Sequence, residues 1–291
     1  MQLIITNKNN QVLDLLNNKD KIILIKAEAL HGIETDIGES ESPYTDGTTI
    51  ESVNALPRGI ELTFKLKGDV KESINFVTSI VKSKQFITLR EVDGNKDIVI
   101  KGVVTIPPYT RMLQSCELTL SIYCGQPYWE DINYIAQVIS ERIDLLNFPT
   151  EGQYFTPNGR PFGLIDTSLE KTFTNDGDVS VGMLLTLTAL GTVTNPRISC
   201  SSGDQNGWYM QLNVTLQTYD EVKINTVKGN KYITINGQAT YNGEPILNYL
   251  EFSGQDWLQL EQGNNTFNVS TEGGATNSNV HFNINYKGRY E

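Results

Sequence analysis

Apolar positions follow two rhythms along the chain, and the switch between them marks its elements. From Gly59 to Gly68, Ile60, Leu62, Phe64 and Leu66 alternate with polar residues. That period of two predicts a half-buried strand with these four side chains on one face. Gln114 to Tyr123 alternates likewise, with Cys116, Leu118, Leu120 and Ile122 sharing a face. Lys21 to Lys26 is a short apolar run bounded by charge, the mark of a buried strand. Phe86 to Glu91 and Ile98 to Val104 read as a strand pair turning at Asp93-Gly94, a hairpin signal. Once the period lengthens: Val70, Ile74, Val77 and Val81 recur at helical spacing with Ile80 beside them. Asp69 stands before them as an N-cap, with Glu72 three residues on, which predicts a helix over 69–83. Between the first two strands, Glu34 to Leu56 is polar and holds Gly38, Pro43 and Gly47. It predicts a long loop, of a length that compact domains keep for function or leave disordered.

Gly125-Gln126-Pro127-Tyr128-Trp129 closes a first domain, residues 1–128. Residues 129–166 read as an arm. Its first part, Glu130 to Leu146, spaces Ile132, Ile135, Ile139, Ile143 and Leu146 as a helix would. Its second, Phe148 to Phe162, carries Pro149, Gly152, Pro157, Gly159 and Pro161 and reads as an irregular linker. A second domain, residues 167–291, has less charge and more Asn, Gly and Thr. Its short strands recur at the spacing of a β-sandwich: Gly182 to Ala189, Trp208 to Leu216, Tyr232 to Ile235, Thr266 to Val269 and Val280 to Tyr286. Asn236-Gly237 and Asn242-Gly243 are its hairpin turns. The fold class is mainly β.

Composition narrows the function more than the fold. The 291 residues suffice for two cores, and a net charge of −11 gives no electrostatic reason to hold nucleic acid or anionic lipid. The start, Met1 to Lys8, lacks a secretory pattern, and no window nears the ~18 apolar residues of a spanning helix. The expectation is synthesis in the cytoplasm and no membrane partner. Cys116, Cys124 and Cys200 are odd in number without a C-x-x-C spacing, so they read as small buried hydrophobes. His31 and His281 have no ligand partner at metal spacing. No G-x-S-x-G elbow occurs. The acid pairs Glu130 with Asp131 and Asp220 with Glu221 read as solvated faces. Gly273-Gly274 lacks a P-loop lysine, and Asp93 to Asp97 lacks the distal Glu of a calcium loop. The sequence therefore predicts no catalytic residue, no metal and no cofactor, and a function made of contact.

An ordered set of motifs gives that contact a context. Gly125-Gln126-Pro127-Tyr128-Trp129 ends the first domain, and Thr45-Asp46-Gly47 precedes the strand from Gly59. Asn175-Asp176-Gly177-Asp178-Val179 and Thr194-Asn195-Pro196-Arg197-Ile198 bracket a strand of the second domain. Trp257-Leu258-Gln259-Leu260-Glu261-Gln262-Gly263-Asn264-Asn265-Thr266-Phe267 comes near the end. Together they resemble the distal tail (Dit) family, the siphovirus-type tail component of phages infecting Gram-positive bacteria. The resemblance implies an N-terminal tail-tube-like β-sandwich with a flanking helix, Asp69 to Ser83, and a C-terminal galectin-like or jelly-roll β-sandwich. It implies a structural virion protein of the tail tip, six copies closing into a ring. Its partners would be further copies of itself, the tail tube protein, the tail tip protein and a receptor-binding protein. The stretch around Tyr44 to Thr49 would be a belt meeting the next subunit, with Tyr44, Asp46 and Gly47 at the interface. Net negative charge suits a channel that passes DNA without holding it. The competing reading is a carbohydrate-binding adhesion module that stacks host cell-wall glycans on Trp208, Tyr209 and Trp257, against the plainer role of these rings as core. A cell-wall hydrolase lacks a catalytic set.

Overall fold

The computed structural model describes residues 2–41, 44, 46–105, 117–138, 142–144, 163–165, 170–272 and 280–291. Two compact units emerge: Met1–Ile132 together with Arg289–Glu291, and Asn133–Gly288.

In the first unit the period-two segments become strands: β1 (Gln2–Asn7), β2 (Val12–Asp14), β3 (Ile22–Glu28), β4 (Thr35–Glu41), β5 (Thr48–Ala55) and β6 (Arg58–Leu66). After the helix α1 (Val70–Ile80) come β7 (Phe86–Asp93), β8 (Lys96–Thr105), β9 (Glu117–Cys124) and β10 (Trp129–Asp131). One antiparallel sheet runs β2-β1-β7-β8-β9-β6-β3. β10 joins it at β8, and the terminal strand Arg289–Tyr290 pairs with β10. The alternation of each strand now has a cause. Ile60, Leu62, Phe64 and Leu66 of β6, Leu118, Leu120 and Ile122 of β9, and Leu3 and Ile5 of β1 all enter one core. α1 packs on β2 and β6 and buries Val77 and Ile80. Asp69 caps it, its Oδ1 accepting from Lys71 N at 2.8 Å and Glu72 N at 3.2 Å. The Glu72 carboxylate receives Lys21 Nζ at 3.0 Å. The helix ends at Ile80, before the expected Ser83, because Val81 is already extended at φ −117°. The β7–β8 turn also sits one residue later than Asp93-Gly94: Asp93 pairs with Lys96, and Gly94 takes the first turn position with φ +58°.

Two expectations need correction. Glu34 to Leu56 is not a loop but a two-stranded hairpin of β4 and β5, paired from Thr35–Ala55 to Glu41–Thr48 with a bulge after Gly38. Both its faces are mostly solvated, so it carries no core-directed alternation to reveal it. Glu130 to Leu146 is not a helix among the described residues. It contributes β10, the strand Ile135–Val138 and the strand Arg142–Asp144. Ile135–Val138 is taken up as a partner of Val280–Tyr286, a tertiary contact that overrides the helical spacing of its isoleucines. The linker of 148–162, Cys116 and Gly273-Gly274 lie outside the described residues.

The second unit is a sandwich of two antiparallel five-stranded sheets. One orders Ile135–Val138, Val280–Tyr286, Met183–Ala189, Glu221–Asn225 and Tyr232–Ile235. The other orders Glu170–Asn175, Gly263–Ser270, Arg197–Cys200, Tyr209–Leu212 and Leu250–Ser253. Leu185, Leu187, Phe282 and Ile284 from the first meet Phe173, Ile198, Met210 and Phe267 from the second in one core. The expected strand Trp208 to Leu216 is broken into Tyr209–Leu212 and Thr215–Leu216. Asn236-Gly237 and Asn242-Gly243 turn with both residues at positive φ (49° and 76°, 50° and 85°), as two-residue hairpins of the mirror-image type require.

The motif from Trp257 to Phe267 proves to be architecture. Leu258, Leu260 and Phe267 are core residues, and Asn265 is 2% exposed. Its Oδ1 accepts from Glu261 N at 2.8 Å, and its Nδ2 donates to the carbonyls of Glu261 at 2.7 Å and Gly263 at 2.9 Å. One buried amide thus closes the turn that feeds the strand Gly263–Ser270. Asn265→Ala should cost about 1–3 kcal/mol, since it strands buried backbone groups. Exposed Asn264→Ala should stay within about 0.5 kcal/mol. Denaturant unfolding of the two variants measures the difference.

Candidate functional site

Chemistry in the first unit concentrates where the β4–β5 hairpin leaves the sheet. The carbonyl of Leu30 accepts Arg58 Nη1 at 2.7 Å and Trp129 Nε1 at 2.8 Å. Arg58 is 4% exposed and Trp129 fully buried. Arg58 opens β6, directly after the hairpin, and Leu30 lies just before it, so the two strand roots are tied through one buried oxygen. Leu56 N donating to Glu34 O at 2.8 Å closes the base. His31 adds a ring 6.1 Å from Trp129 and places Nε2 3.2 Å from Glu91 Oε2. Burial pulls the Arg58 guanidinium below its ordinary range, the charges of Cys124 and Glu291 opposing that shift. Burial pushes the Cys124 thiol up to about 11 against the pull of Arg58. The Pro127-Tyr128-Trp129 segment therefore acts as the anchor of the hairpin.

Beyond its root the hairpin is free of the core. Ile37 faces Val53 across the strands and Glu39 faces Ile50, which puts Ile37, Ile50 and Val53 on one face. These three are 47%, 60% and 61% exposed. Glu34, Asp36, Glu39, Glu41, Asp46 and Glu51 are all exposed, and 34–56 contains no Lys or Arg. Tyr44, 93% exposed, sits at the tip with Asp46 and Gly47, whose φ of +89° turns the chain. The three residues singled out in the sequence are thus together at the end of the arm. Missed from sequence were Arg58, Trp129 and Leu30 as its anchor. The signal was present as an isolated Arg opening an otherwise alternating strand.

The proposed sugar-stacking rings are each engaged by protein. Trp257 is 9% exposed, with Lys231 Nζ 5.7 Å from its ring centre. Trp208 is half-buried over Gly254, where a Cβ would come within 2.4 Å of the indole. Tyr209 carries the Arg197 guanidinium 3.6 Å over its ring, and its hydroxyl donates to Glu251 at 2.7 Å. That bond holds the Glu251 carboxyl below its usual range and the Tyr209 hydroxyl above its own. Among the described residues no three His, Cys, Asp or Glu side chains gather as a metal site, and no helix is long and apolar enough to cross a membrane.

Residues 176–290 match the family described as siphovirus-type tail component, C-terminal domain. The chain is similar in fold to the Dit protein of SPP1, a hub of the adsorption apparatus in phages infecting Gram-positive bacteria. The likeness covers 99% of both chains, with a TM-score of 0.59 at 12% identity. Chains of the phage p2 baseplate in its activated conformation, with Ca and with Sr, align over 98% of this chain and 97% of theirs. Both are 12% identical, with TM-scores of 0.41 and 0.40. No curated protein sequence matches.

The Cys124 thiol should show its burial chemically. At pH 8 it should resist iodoacetamide in the folded protein and react once the protein is denatured, as peptide mass mapping would report. Its pKa is raised on folding from 9.0 to about 11. The folded state therefore holds the proton more tightly, and this contribution to stability is complete below about pH 9 and lost as pH rises through about 11.

Proposed function

We propose that this chain, a siphovirus-type tail component by its C-terminal domain, is a distal tail hub whose copies close into a ring, most simply of six. The ring joins the tail tube above to the tip protein below, and receptor-binding proteins attach around it. The first unit, Met1–Ile132 with Arg289–Glu291, forms the ring, and the second, Asn133–Gly288, offers its surface to other tail proteins. The observation that carries this reading is the arm formed by β4 and β5. A two-stranded ribbon has little stability alone in water. This one is solvated on both faces, yet its root is fixed by two hydrogen bonds to one buried carbonyl. A fixed root with an exposed outer part is what a subunit needs to reach a neighbour. Ring closure requires such a heterologous contact, one surface of each copy fitting a different surface of the next. Tyr44, Asp46 and Gly47 are the interface residues at its tip. Contact, rather than turnover, is the function.

Replacing 36–53 by a short Gly-Ser turn should leave both units folded, with far-ultraviolet circular dichroism close to wild type, and should abolish assembly into tails. Electron microscopy of tail particles tests the whole reading. The chain should encircle the tail axis at its distal end; density for a single copy hanging off that axis would overturn it.

A further inference from the structure

A second feature of the first unit answers the arm in charge and shape. Between the turn after β1 and the connection from α1 to β7 lies a groove of about 480 Å³, lined among others by Asn7, Lys8, Gln11, Lys82, Lys84 and Phe86. Its two walls are joined by Asn7 Nδ2 donating to Ile80 O at 2.8 Å. Lys84 N donating to Val104 O at 2.8 Å fixes the second wall to the sheet. No carboxylate is among its lining residues. In a chain of net charge −11, three lysines converging without an acid is a local reversal of sign. Lys82 and Lys84 would complement the C-terminal end of α1 by themselves. That account does not reach Lys8, which comes from a different segment, nor Phe86, which is 73% exposed at the rim.

The sheet register relates the groove to the arm. Gly59, next to the root of the arm, lies opposite Tyr123; Tyr123 lies opposite Val103, and Val103 opposite Phe86. Asn7 is opposite Ile87, one residue further on. One row across the strands thus leads from the root of the arm on β6, over β9 and β8, to the groove on β7 and β1. Tyr123 and Phe86 stand on the same face of that row and are 57% and 73% exposed. Donor and acceptor are therefore at the same end of the strands but on different strands of the sheet.

We propose that the groove of Lys8, Lys82, Lys84 and Phe86 receives the acidic β4–β5 arm of a second copy of this chain. Glu39 and Glu41, which share a face of the arm with Ile37, Ile50 and Val53, and Asp46 at its tip meet the lysines, and the three apolar side chains cover Tyr123 and Phe86. The inference rests on the ring reading above and names the surface that completes it.

The test is light scattering of the full chain across concentration, for wild type, for K8E/K82E/K84E, for E39K/E41K/D46K, and for all six changes together. Wild type should associate, and less so as salt screens the charges. Each triple variant should weaken association about a hundredfold or more, and the six-fold variant should recover most of it, since its charges are again opposite. The two triples are independent, so misfolding of one, seen by circular dichroism, leaves the other and its salt dependence to decide. Unchanged association of the triples, failure of the six-fold variant to recover, or a wild type that stays monomeric throughout would each overturn the inference. Tail images separate this from the hub reading: a ring on the axis with indifferent triples removes only the groove, and an off-axis chain removes the hub.

Discussion

One backbone oxygen ties the root of the projecting arm to the core. Leu30 O accepts from both Arg58 and Trp129, and these two donors come from segments 28 and 99 residues away. Burying the Arg58 charge costs several kcal/mol unless it is compensated. Among the described residues its Nε and Nη2 find no partner. A hydrophobic side chain could fill that space at lower cost. What the guanidinium adds is direction, because its Nη1 aimed at Leu30 O ties the exit of the arm to its entry. The strands beyond can then be solvated on both faces without the root fraying.

The second unit uses its buried polar groups in the same way. Asn265 closes the turn before Gly263–Ser270. Asn175 Nδ2 donates to Val179 O at 3.0 Å, and its Oδ1 accepts from Gly177 N at 3.1 Å, closing the turn after Glu170–Asn175. Glu261 receives Gln205 Nε2 and Asp204 N, each at 3.1 Å, and pins the short helical turn at Gly203–Gln205. Two segments that look like signatures in the sequence, Asn175 to Val179 and Trp257 to Phe267, are thus knots of the backbone. The polar side chains most tightly held in this unit are occupied in building the sandwich, which agrees with a protein that works through surfaces.

Legibility in the sequence followed burial. Strands with one face in a core, such as Arg58–Leu66 and Val280–Tyr286, announce themselves because water and core select alternate residues. The cap of α1 was legible because its bonds are local to Asp69. The arm was not, since a ribbon wet on both sides obeys neither period. The helix expected from Glu130 failed for the opposite reason: isoleucines three or four apart also suit short strands when a distant segment supplies the partner. Tyr44, Asp46 and Gly47 were singled out through resemblance alone, and Arg58 was passed over because a charged residue beginning a strand is ordinarily solvated.

By itself the sequence determined the mainly β class, the capped helix that follows Asp69 and the turn glycines. All of these rest on interactions between residues close in the chain or on the averaged contrast of apolar and polar positions. Only the tertiary structure decided that the polar stretch is a two-stranded arm, that Arg58, Leu30 and Trp129 anchor it, and that three scattered lysines share a groove. Those facts depend on which distant strands become neighbours, and hydrogen bonding between strands sets that order without leaving a periodic trace in either one.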